Sequence, residues 1–99
     1  MEKNTDTISL GGNIALSGFN NIEKAKLFVI RKIVGNYVKQ LMEKRNDYEK
    51  LDITLEGDET NPKLKVEASF AGNPITEESS GTNLFVTLNE CLNRILEKA

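Results

Sequence analysis

Read along the chain, apolar positions alternate, turn helical, alternate again and turn helical once more, and these stretches mark the candidate elements. From Thr7 they alternate: Ile8 and Leu10, a "GGN" interruption, then Ile14 and Leu16. Alternation describes a half-buried strand, and the glycines allow two readings, one strand with a bulge or a tight hairpin of two. "SGFNN" follows as a connector, in which Asn20 or Asn21 can cap a helix. From Ile22 to Arg45 the period becomes helical. At 100° per residue Leu27, Ile30, Val34, Tyr37, Val38 and Leu41 share one stripe, the face a sheet would cover. Alternation then returns in "KLDITLE", "KLKVEASF" and "NPITEES", separated by the turn-forming stretches "GDETNP" and "FAGNPI". Thr82 or Asn83 can cap a final helix, where Leu84, Phe85, Leu88, Cys91, Leu92, Ile95 and Leu96 lie together.

Two amphipathic helices and a sheet with one apolar face bury those surfaces most simply as two layers. The expected architecture is therefore α+β, a β-α-β-β-β-α sandwich with a four-stranded sheet and both helices on one face. Residues 1–6 are polar and expected to fray, leaving 7–99 as a single domain. Ninety-nine residues suffice for one core and no second.

Composition narrows the function more than the fold. With 38% apolar and 28% charged residues and no long apolar run, the pattern is that of a soluble protein with no membrane span. "MEKNTDT" lacks the features of a secretion signal, so the expected location is cytoplasmic. The chain has no histidine, which removes the usual general base and the commonest transition-metal ligand. No calcium-loop spacing is present, and "LEGDETNPK" reads as turn chemistry. These points argue against an enzyme, a metal, a cofactor or a small-molecule substrate. The single cysteine, Cys91, falls on the apolar stripe of the second helix, the usual place of a buried, inert thiol.

Charge brings in a candidate chemistry. The net charge of −2 conceals a division: residues 21–45 carry seven cations against two carboxylates, residues 46–80 nine carboxylates against three lysines. On the helical wheel Lys24, Phe28, Arg31, Lys32, Gly35 and Lys39 fall within an arc of about 100° and form one solvent-facing strip. Glycine costs a helix about 1 kcal/mol relative to alanine. Its place among cations and beside an outward phenylalanine suits a phosphate chain approaching closely, with Phe28 stacking on a base or sugar. Solubility alone also puts lysines on an exposed helix face. A third reading makes Phe28, Val29 and Val86 the centre of a protein interface, including one with a second copy of the chain. On the second helix Thr87, Arg94 and Lys98 form one flank, which would join the strip only if it borders the first helix.

The stretches "ISLGGNIALSG", "KLDITLEGDE", "KLKVEASFAG" and "GTNLFVTLNECLNRILEKA", in this order, resemble the ribosome hibernation promoting factors, also called the protein Y or sigma-modulation family. The resemblance spans nearly the whole chain. It implies a β-α-β-β-β-α domain that binds the small ribosomal subunit near the decoding site, excludes messenger and transfer RNA, and stores ribosomes in an inactive state. It also implies that basic residues on both helices meet ribosomal RNA: by position Lys24, Arg31, Lys32 and Lys39 on the first, Arg94 and Lys98 on the second. The length leaves no room for the dimerisation domain of long members, so a short form is expected.

Overall fold

The computed structural model describes residues 7–11 and 13–99; the expectation of a frayed segment over 1–6 lies outside them. Alternating apolar positions form five strands, β1 (Thr7–Gly11), β2 (Ile14–Ser17), β3 (Tyr48–Gly57), β4 (Pro62–Phe70) and β5 (Asn73–Ser80), and the helical stretches form α1 (Lys24–Lys44) and α2 (Leu84–Lys98). The sheet follows chain order, β1-β2-β3-β4-β5. Only β2 and β3 are parallel, joined by the crossover through α1, and the remaining neighbours are antiparallel.

The expected four-stranded sheet is therefore five-stranded. The "GGN" interruption is a hairpin, with Ile8 opposite Leu16 and Ser9 opposite Ala15, and a register shift between Ser9 and Gly11. Asn13 sits at φ 62°, a left-handed conformation that turns the chain back on itself. Because Ile8, Leu10, Ile14 and Leu16 keep the same parity, the hairpin returns all four to the helix side, and β1 becomes an edge strand beside α1.

The core lies between the sheet and the two helices. Leu16, Leu51, Ile53, Leu64, Val66 and Ala68 from the sheet meet Ile30, Val34, Leu41, Leu88, Leu92 and Ile95 from the helices, all essentially without solvent contact. Phe19, in the connector, is also fully buried, and Gly18 beside it explains how. At φ +83°, its Cα passes so close to the Leu55 carbonyl that a Cβ would collide with it. That close approach tucks Phe19 under the sheet's end.

Helix α1 begins after Glu23, whose side chain makes no capping bond, so neither Asn20 nor Asn21 caps it as expected. Instead Ile22 is buried and its N–H closes a turn onto the Phe19 carbonyl. Helix α2 is capped as expected by Asn83, whose side chain accepts from the Val86 N–H at 3.1 Å. The helices run parallel, since Tyr37 Oη donates to the Asn89 carbonyl and Lys44 Nζ to the Leu96 carbonyl, advancing by the same interval on both. Helix α2 packs over β4 and β5, leaving α1 over β3 and the β1–β2 end.

Candidate nucleic-acid interface

The seven cations of residues 21–45 divide into two groups. Lys26 pairs with Glu59 in the β3–β4 loop and with Glu23 at 3.5 Å. Lys44 reaches the end of α2. Arg45 forms a two-pronged pair with Asp47, at 3.0 and 2.6 Å, and lies over the Phe70 ring. The Arg45 guanidinium, by hydrogen bonding first, holds the Asp47 carboxyl below its ordinary value. These three are committed to the fold.

The other four are Lys24, Arg31, Lys32 and Lys39. All are exposed, and among the described residues none has a carboxylate oxygen within the 4.0 Å of an ion pair. Lys32 Nζ instead sits 4.7 Å from the centre of the Phe28 ring, a cation–π contact that holds the ring on the helix surface. Phe28 is 56% exposed. The sequence-derived ridge is thus on the surface as a unit, with Gly35 exposed in its middle.

Gly35 differs from Gly18 in its surroundings. Its backbone is ordinary helix, and a Cβ added there would meet no atom within 4 Å. Nothing in the packing of this chain calls for glycine at that position. It opens onto a cleft of about 280 Å³ between α1 and the hairpin, lined by Leu10, Ile14, Phe28, Arg31, Lys32 and Gly35 itself. A second cleft of about 330 Å³ lies on the other side of Phe28, with Ile8, Leu10 and Leu27 as its apolar wall and Lys24 and Arg31 at its rim.

Met42 belongs to the same ridge and was missed from sequence. It is 55% exposed and stands seven residues beyond Gly35, as Phe28 stands seven before it. Two helical turns on either side of the glycine place an apolar side chain at each end of a ridge about 21 Å long. The heptad spacing Phe28, Gly35, Met42 was the available signal.

The second-helix residues are set apart. Arg94 Nη1 donates to the Glu78 carbonyl at 3.1 Å, and Lys98 pairs with the Glu77 carboxylate, both on β5. Their flank faces the far edge of the sheet and does not border α1. Thr87, expected beside them on the surface, is buried, its hydroxyl donating to the Asn83 carbonyl at 2.8 Å. Phe28 and Val86 are both exposed but lie on different sides of the α1–α2 seam, Phe28 beside the hairpin and Val86 on α2. Cys91 is buried against Glu77, and burial above all pushes its thiol up to about 11, which keeps it protonated and inert at neutral pH.

No model of a known protein family matches the sequence, and no curated protein matches it. Solved structures do. The Thermus thermophilus Protein Y N-terminal domain superposes with a TM-score of 0.65 at 15% identity, covering 86% of this chain and 89% of that one. A ribosomal subunit interface protein from Coxiella burnetii superposes with a TM-score of 0.59 at 10% identity, covering 87% and 89%. The expectation drawn from sequence resemblance is met in the architecture: this chain has the fold of the Protein Y N-terminal domain.

Proposed function

We propose that the chain is a ribosome-associated, RNA-binding regulator of translation of the hibernation factor type, holding ribosomal RNA of the small subunit along the outer ridge of α1. The observation that carries this is the set of four exposed cations, Lys24, Arg31, Lys32 and Lys39, without a carboxylate partner among the described residues. In a slightly acidic protein, cations left unpaired on one helix face form a local positive field that polyphosphate would neutralise. The fold shared with the Protein Y domain and the ribosomal subunit interface protein supports the ribosome as the place where such a field acts. On this reading the protein is cytoplasmic, is not an enzyme and needs no cofactor; bound to the subunit, it stores ribosomes in an inactive state.

The outward flank of α2 contributes less, because Arg94 and Lys98 already have partners on β5. Self-association through the ridge is disfavoured by the same charges: two copies meeting face to face would oppose four cations with four. The test is co-sedimentation with small ribosomal subunits. The double variant Lys32→Glu, Lys39→Glu is expected to stay at the top of the gradient while the unaltered chain travels with the particles; unchanged co-sedimentation would refute the ridge as the binding face.

A further inference from the structure

We propose that the two cavities beside Phe28 are nucleobase slots, so that the α1 ridge holds single-stranded RNA with unstacked bases seated between α1 and the β1–β2 hairpin. This rests on the ridge reading above and specifies the form of RNA it takes.

The lining of the two cavities separates them from three other clefts of the surface. Among the described residues neither contains a carboxylate: both combine aliphatic walls from the hairpin with Phe28 and Arg31, and add Lys24 on one side and Lys32 on the other. The cleft at the β5 edge, by contrast, contains Glu78 and Glu90, and the one under the β3–β4 loop contains Asp58 and Glu59. Apolar walls with a purely cationic rim match a ligand that is flat and uncharged at one end and anionic at the other. A nucleotide has that shape.

The walls decide which form of RNA fits. A duplex offers phosphates and sugar edges while its bases stay stacked inside, so it can use the cations and leave the apolar walls empty. An unstacked base can lie against the Phe28 ring and the Leu10 side chain while its phosphate meets Arg31. Leu10, Phe28 and Arg31 border both cavities and so divide the space between them. Two short compartments of about 300 Å³ fit single bases, whereas an amphipathic acidic helix needs one continuous groove. Gly35, which lines the compartment of about 280 Å³ beside Lys32, leaves the sugar-phosphate chain room to cross the helix.

The experiment is fluorescence anisotropy of the full chain with three labelled RNAs of roughly twelve nucleotides, a length that spans a typical single-strand site: a strand without self-complementarity, its duplex, and the strand with alternate bases removed. The unaltered chain is expected to bind the intact strand at least about fivefold more tightly than the duplex or the abasic strand, since stacking on one aromatic ring is worth about 5- to 150-fold. Phe28→Leu, which keeps apolar bulk and removes the ring, is expected to erase that preference with the melting temperature unchanged. Equal binding of strand and duplex, or a preference that survives Phe28→Leu, overturns the slots and leaves the ridge standing. Binding to none of the three overturns both. Displacement of the strand by oligoglutamate as readily as by unlabelled RNA identifies an acidic-protein site and also overturns the slots.

Discussion

Gly35→Ala separates function from folding, because the two should move in opposite directions. In the isolated chain the substitution adds a methyl group where no atom lies within 4 Å, on a helix whose backbone already has the conformation alanine prefers. The helix gains about 1 kcal/mol in propensity, partly through reduced freedom of the unfolded chain. For a domain near this size that corresponds to a rise in melting temperature of about 4–8 °C. The same methyl projects into the cleft shared with Leu10, Ile14, Phe28, Arg31 and Lys32. A phosphate chain resting on the bare helix backbone would be pushed outward, away from cations on both sides, and the affinity should fall by about tenfold, equivalent to about 1.4 kcal/mol. The assay is a thermal melt and an RNA anisotropy titration of the same two proteins in one low-salt buffer. If the variant melts higher but binds RNA within about twofold of the unaltered chain, the glycine does not admit a partner. If it melts lower, the space assigned to Gly35 is wrong.

Three other outcomes follow from the packing and the charges. Arg94→Ala with Lys98→Ala is expected to weaken RNA binding far less than Lys32→Ala with Lys39→Ala, since the first pair is engaged with β5; equal losses in a side-by-side titration would return α2 to the interface. Cys91, with its thiol pushed up to about 11 chiefly by burial, is ionised at pH 8 in only roughly one molecule in a thousand. A thiol reagent should therefore label it slowly in the folded protein and quickly in urea, and fast native labelling would contradict its burial. Asp47, held below its ordinary value of 3.8 by Arg45, and Asp58, held down by the Thr60 hydroxyl and the N–H groups of Asn61 and Thr60, both titrate lower folded than unfolded. Their contribution is present above about pH 4 and lost as pH falls through the folded values, because the unfolded chain then binds more protons. Denaturation midpoints should drop on acidification below pH 4, less so in Asp58→Asn; a midpoint constant down to pH 2 would contradict these pairings.

What could be read before the structure was known follows from what periodicity encodes. The stripe of α1 emerges as expected, with Ile30, Val34, Val38 and Leu41 buried and Leu27 and Tyr37 at its margins. So does α2, apart from Thr87, whose burial depends on a hydroxyl satisfied within its own helix. The hairpin is ambiguous in sequence because even-numbered apolar positions face one way whether the chain continues or doubles back, and only backbone angles such as that of Asn13 separate the two. That ambiguity hid the cavities, since an edge strand lying beside α1 is what encloses them. Phe19 looked like connector sequence, and its burial follows from the contact of Gly18 with Leu55, distant in the chain. The ridge itself was legible as an arc on a wheel. The partners of the other three cations of residues 21–45 were not, because Glu59 and Asp47 lie in loops whose direction no periodicity describes.

If these four cations grip polyphosphate, binding to purified small ribosomal subunits must weaken steeply with salt. Four phosphate contacts predict a log-log slope between about −2.8 and −3.6, falling by about half when Lys32 and Lys39 are both replaced by alanine. A slope near zero, or one that the double replacement leaves unchanged, would mean that the ridge does not hold phosphate.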